Sequence, residues 1–93
     1  MILDFKCAET AAIWQGRMSR RLPPEIQGIA RRKLRMLNNA ASLNDLRVPP
    51  ANRLEALKGS RKGQHSIRIN DQWRLCFIWR DHGAEAVEIV DYH

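Results

Sequence analysis

The stretch His65-Ser66-Ile67-Arg68-Ile69-Asn70-Asp71-Gln72-Trp73-Arg74-Leu75-Cys76-Phe77-Ile78-Trp79 decides the fold. His65, Ile67 and Ile69 alternate with Ser66 and Arg68, the period of a half-buried strand. Asn70-Asp71 is turn chemistry. Trp73, Leu75, Phe77 and Trp79 then resume the alternation against Arg74, Cys76 and Ile78. Downstream, Asp81-His82-Gly83 turns the chain again, and Val87 and Ile89 carry a last strand into Asp91-Tyr92-His93. Consecutive strands joined by short turns predict an antiparallel meander. Upstream, the basic, glycine-bounded turn Lys58-Gly59-Ser60-Arg61-Lys62-Gly63 leads back to a short strand candidate over Arg53 to Leu57.

Nearer the N-terminus the period changes from two to 3.6. Pro23 and Pro24 suit a helix start, where a missing N–H costs nothing, and Glu25 favours the positive end of the dipole. Ile26, Ile29, Ala30, Leu34 and Leu37 form one buried stripe, with Asn38 and Asn39 as terminators. Arg31, Arg32 and Arg35 fall on the opposite side, either as a solvated surface or as a contact with ribosomal RNA. Ala8 to Met18, rich in helix formers, predicts a first helix, and Arg20 to Leu22 a connector. Ile2 to Lys6 predicts a short strand, and Ala41 to Ala51 a loop broken by Pro49-Pro50. Two N-terminal helices packed on a twisted antiparallel sheet make an α+β fold, expected as a single domain over residues 1–93.

The chain has 93 residues, with 16 Lys and Arg against 10 Asp and Glu, a formal charge of +6. That excess favours a polyanionic partner: nucleic acid, an anionic membrane or an acidic protein. No apolar run approaches the roughly 18 residues of a membrane span. Met1 to Lys6 lacks a signal-peptide core, so a cytoplasmic protein is expected. Cys7 and Cys76 are expected to be reduced core thiols. Three scattered histidines and two isolated cysteines lack ligand spacing, so no metal and no cofactor are expected. Catalytic serine triads, phosphate loops and dinucleotide fingerprints are missing too.

A metal-free nuclease must neutralise phosphoryl oxygens, take a proton from a nucleophile and return one to the leaving oxygen. RNA supplies the nucleophile in its 2′-hydroxyl. The C-terminal half holds the matching inventory. Lys58 beside Gly59 is either a solvated turn lysine or a phosphate ligand. Arg74 either faces water, opposite Trp73 and Leu75, or takes two phosphate oxygens through its fork. Tyr92 offers a ring and a hydroxyl, and His93 an imidazole that titrates near neutrality. His65 is read as a packed strand residue and His82 as a turn residue.

Four pieces taken in order carry a resemblance: Leu54-Glu55-Ala56-Leu57-Lys58-Gly59, Ser66-Ile67-Arg68-Ile69-Asn70, Gln72-Trp73-Arg74-Leu75-Cys76-Phe77 and Val90-Asp91-Tyr92-His93. The set resembles the HigB branch of the RelE/ParE toxin superfamily, closely over residues 52–93 and in length and order before that. The resemblance implies a microbial ribonuclease-like fold and a ribosome-dependent endoribonuclease (an mRNA interferase) that cleaves mRNA in the A site of the 70S ribosome. It also implies a HigA-type helix-turn-helix antitoxin, and repression of the shared operon DNA by the complex. By resemblance, Lys58 and Arg74 steady the scissile phosphate; Arg61, Lys62 and Arg68 are expected to extend the RNA-binding surface. Asp91, Tyr92 and His93 match the terminal catalytic segment, with His93 as the acid or base and Tyr92 stacking on or positioning a base. Some relatives carry histidine where this chain has Glu55, so Glu55 is either the base or an exposed strand residue. The α-carboxylate on His93 is expected to favour its imidazolium, and with it the acid role. The alternative is a ParE-like toxin that poisons DNA gyrase without nuclease chemistry. A third reading is a basic nucleic-acid-binding module.

Overall fold

The alternating stretch forms the centre of a sheet. The computed structural model describes residues 1–92, and the predicted catalytic His93 lies outside them. Four strands, β1 (Glu55–Ala56), β2 (His65–Arg68), β3 (Trp73–Arg80) and β4 (Gly83–Asp91), form an antiparallel sheet in the order β1-β2-β3-β4. The β2–β3 register sets His65 opposite Phe77, Ser66 opposite Cys76, Ile67 opposite Leu75 and Arg68 opposite Arg74. Facing residues share a side of the sheet, so the meander sorts its side chains into two faces.

One face is the core. Ile67, Leu75, Phe77, Val87 and Ile89 pack there against α1 (Ala8–Trp14) and α2 (Pro24–Asn39). The predicted α2 stripe is the buried one: Ile26, Ala30, Leu34 and Leu37 are at most 2% exposed, and Ile29 is half-buried. Each such side chain contributes roughly 1.5–3 kcal/mol by leaving water. Gln27 is also buried, which polarity alone does not predict. Its amide accepts from Ser19 N and donates to the carbonyls of Ser19 and Leu22, which ties the α1–α2 connector to α2.

Several local expectations are corrected. The first helix stops at Trp14 rather than Met18, because Gly16 takes φ +86 and the chain leaves the helix there. Arg31 is not on a free face, since its Nε donates to Ile13 O at 3.0 Å at the end of α1. Arg32 and Arg35 are exposed as expected. The Ile2–Lys6 strand reduces to two parallel bridges, Ile2–Ala84 and Phe5–Val87, along the edge of β4. The Arg53–Leu57 strand shortens to two residues, and the Ala41–Ala51 loop coils into 3₁₀ turns at Leu43–Arg47 and Pro50–Asn52.

β4 carries a bulge the sequence does not announce. Cys76 pairs with Glu88 but Ile78 pairs with Glu85, and Ala86 stands at φ +51. The extra residue lets Ala84 and Val87 both reach the core, three positions apart. Beyond it, Glu88 and Val90 are set on the face opposite the core, beside Cys76 and Arg74.

Candidate functional site

The second face of the sheet collects the charged half of the alternation: Glu55, Ser66, Arg68, Arg74, Cys76 and Glu88. Arg68 and Arg74 are direct cross-strand partners, and like charges in that position destabilise a sheet. The two arginines line an open cleft of about 330 Å³ together with Arg53, Glu55, Asn70, Asp71 and Tyr92. That volume is at the lower end of the roughly 300–1,000 Å³ typical of ligand pockets.

Arg74 does not face water, which corrects the solvated reading. It is 8% exposed. Its Nε donates to Ser66 Oγ at 2.7 Å, and its Nη2 donates to Arg53 O at 2.6 Å and Ser66 O at 3.4 Å. Nη1 stands 3.7 Å from Glu55 Oε1, an ion pair without a hydrogen bond. The guanidinium carbon is 5.9 Å from the centroid of the Tyr92 ring, within cation–π range. Tyr92 is held by its own backbone, whose N–H donates to Gln72 O at 2.6 Å. Asp91 accepts from Gln72 Nε2 at 3.1 Å. The end of β4 is thereby tied to the β2–β3 turn beside the cleft.

Lys58 is elsewhere. With Ser60, Arg61, Val90, Asp91 and Tyr92 it lines a second, more open groove of about 510 Å³. Tyr92 borders both depressions, so Lys58 and Arg74 lie on either side of one ring rather than in one pocket. Lys58 is exposed, and its ammonium has no ion pair among the described residues. Arg61 is committed: Nη1 donates to Glu88 Oε1 at 2.8 Å and to Gln64 Oε1 at 3.1 Å. That bond to Glu88 raises the Arg61 pKa further above its ordinary value. Lys6 approaches the same Glu88 carboxylate at 3.8 Å.

The family model described as "RelE-like toxin of type II toxin-antitoxin system HigB" matches residues 5–93. The chain belongs to the HigB family of RelE-like toxins. Toxin HigB-1 of Vibrio cholerae serotype O1 is 43% identical over 94 residues, spanning 100% of this chain and 98% of that relative. Two crystal structures of YafQ from E. coli share the fold, with TM-scores of 0.63 and 0.62. Each covers 98% of this chain and 93% of YafQ, at 16% and 15% identity. A toxin of a type II toxin–antitoxin system has an antitoxin as its partner. No helix among the described residues is long and apolar enough to cross a membrane.

In this HigB-family chain the expected site residues therefore divide. Glu55, Arg68, Arg74 and Tyr92 meet at one cleft. Lys58, Arg61, Asp91 and Tyr92 border the neighbouring groove. Lys62 is exposed on the turn between β1 and β2. Arg68 forms an ion pair with Asp71 at the cleft wall. Glu55 is 53% exposed, an edge residue that nevertheless faces Nη1, the one Arg74 guanidinium nitrogen without a hydrogen bond among the described residues. His65 packs in the sheet, its ring 6.4 Å from that of Phe77, and His82 sits exposed in its turn. Among the described residues, no three His, Cys, Asp or Glu cluster as metal ligands. Sequence reasoning missed Arg53, Ser66 and Asn70. Ser66 reads simply as the polar half of an alternation, and Arg53 as a strand residue. Arg53 instead takes φ +46 and ψ +57, a left-handed conformation that no pattern in the sequence signals.

Proposed function

We propose that this toxin is a ribosome-dependent mRNA endonuclease that cuts in the ribosomal A site by metal-independent acid/base chemistry. The observation that carries the reading is the adjacent Arg68–Arg74 pair in a cleft that also holds Arg53, the carboxylates of Glu55 and Asp71, and one aromatic ring. The mutual repulsion of two arginines side by side opposes strand pairing, whereas a phosphodiester between them would be neutralised on entry. In the cleft, Arg74 Nη1 and the arginines around it hold the phosphoryl oxygens. Tyr92 stacks on a base next to the scissile bond. Glu55 accepts the 2′-hydroxyl proton as O2′ attacks phosphorus, and the 5′-oxygen departs with a proton from His93. The products are a 2′,3′-cyclic phosphate and a 5′-hydroxyl end. Lys58, with Lys62, contacts the backbone of the flanking nucleotide, and Asp91 orients the terminal segment.

The partner that restrains this activity is proposed to be a HigA-type helix-turn-helix antitoxin, in a complex that represses its operon DNA in the cytoplasm. Mapping mRNA 5′ ends after induced expression tests the class. Cuts in codon register within translated frames are the expected result. Intact mRNA with lost DNA supercoiling would instead point to gyrase. His93→Gln is expected to lower translation-coupled cleavage by about 10²–10⁴-fold while leaving the circular dichroism spectrum unchanged. Full activity in that variant would remove His93 from the mechanism.

A further inference from the structure

The hydrogen bonds of Arg74 assign a job to Ser66 and to the backbone of Arg53, neither of which the proposed chemistry uses. Ser66 is fully buried on β2, directly opposite Cys76, on the side of the sheet away from the helical core. Its hydroxyl and its carbonyl both accept from Arg74, at 2.7 and 3.4 Å. Arg53 bends into the left-handed region, where side chains other than glycine are strained. Its carbonyl accepts from Arg74 Nη2 at 2.6 Å. Nε has one hydrogen and Nη2 has two, and these three bonds use all of them. Nη1 keeps both of its hydrogens free of any hydrogen bond among the described residues, and it is the nitrogen nearest Glu55. A long, flexible side chain has been reduced to a single oriented donor.

We propose that Ser66 and the backbone of Arg53 are positioning residues that clamp Arg74 so that it meets an anionic ligand through Nη1 alone. A bidentate grip through the Nη1–Nη2 edge would require breaking the bond to Arg53. The clamp turns an arginine otherwise free to swing into a fixed element of the cleft wall. Arg53 adds its own side-chain charge to the same cleft. That the ligand is an RNA phosphate rests on the nuclease reading; the clamp itself does not.

The test uses the full chain and two readouts. The first is hydrogen exchange of the Arg74 Nε–H by ¹⁵N NMR, assigned by its loss in Arg74→Lys. The second is translation-coupled mRNA cleavage with kcat and KM separated. Ser66→Ala is expected to speed Nε–H exchange by about tenfold or more and to lower kcat by about tenfold, the scale of one charge-assisted bond. KM should stay near the parent value. Ser66→Thr, which keeps the hydroxyl, should restore both. Arg53→Gly keeps a residue at ease in the left-handed conformation and removes the cation. It is expected to raise KM while the Nε–H stays protected. Unchanged exchange in Ser66→Ala overturns the clamp, as does an equal loss in Ser66→Thr. Because exchange is read without RNA, an inactive parent protein would sink the nuclease reading and leave the clamp standing or falling by itself.

Discussion

Arg74→Lys keeps the charge and removes the geometry, so it separates electrostatics from orientation. Arg74 donates to Ser66 Oγ, Ser66 O and Arg53 O while leaving Nη1 toward the cleft. A lysine ammonium is a single point with three donors on a flexible stem, and it cannot reach both walls and the cleft at once. A hydrogen bond to a charged group is worth about 1.5–3 kcal/mol net. Only the bonds to Ser66 Oγ and Arg53 O are short, at 2.7 and 2.6 Å; with one of these two re-formed by lysine and the 3.4 Å contact discounted, the net loss comes to about 2 kcal/mol. A domain of this size loses roughly 4–8 °C per kcal/mol, so the melting temperature should fall by about 8–16 °C. Cleavage should fall further, by about 10²–10³-fold, the usual cost of removing one oriented donor from a developing charge. Thermal denaturation followed by circular dichroism reads the first effect, and single-turnover cleavage on stalled ribosomes reads the second. A variant that melts within about 2 °C of the parent would show that Arg74 is not held as described. A variant that cleaves at the parental rate would show that charge suffices and orientation does not matter.

Three further outcomes are expected. Leu34→Ala removes a fully buried side chain from the α2 stripe and should cost about 2–5 kcal/mol, measured by urea denaturation. The Cys76 thiol is buried, and that burial raises its pKa; a thiol reagent at neutral pH should label half-buried Cys7 well before Cys76, with both reacting after unfolding. Hydrogen bonds from the Ala41 and Ser42 amides lower the Asp45 pKa below its ordinary 3.8. The associated stabilisation is therefore complete above that value and is lost as pH falls through the folded-state value, so Asp45→Asn should flatten the acid limb of a plot of melting temperature against pH.

The α2 stripe and the meander were legible because helical and strand periodicities are local properties of the chain. Ile26, Ala30, Leu34 and Leu37 need no partner to be recognised as one face. The same local reading set Arg74 on the side of its strand away from Trp73 and Leu75, and Arg68 on the side away from Ile67 and Ile69. It also singled out Tyr92 by its neighbours at the end of β4. Composition indicated a cation-rich protein, and the ordered motifs indicated the family.

Whether that second face was wet or buried was decided elsewhere. Arg74 is buried because Arg53, 21 residues earlier, bends its carbonyl back over the strand, and because Ser66 arrives from β2. The bulge at Ala86 sets where Glu88 falls, and Glu88 in turn takes Arg61, 27 residues away, out of the set of free cations. Such contacts join residues far apart in the chain, and their geometry depends on backbone angles that side-chain polarity does not encode. Periodicity tells which way a side chain points; only the folded chain decides what it meets there.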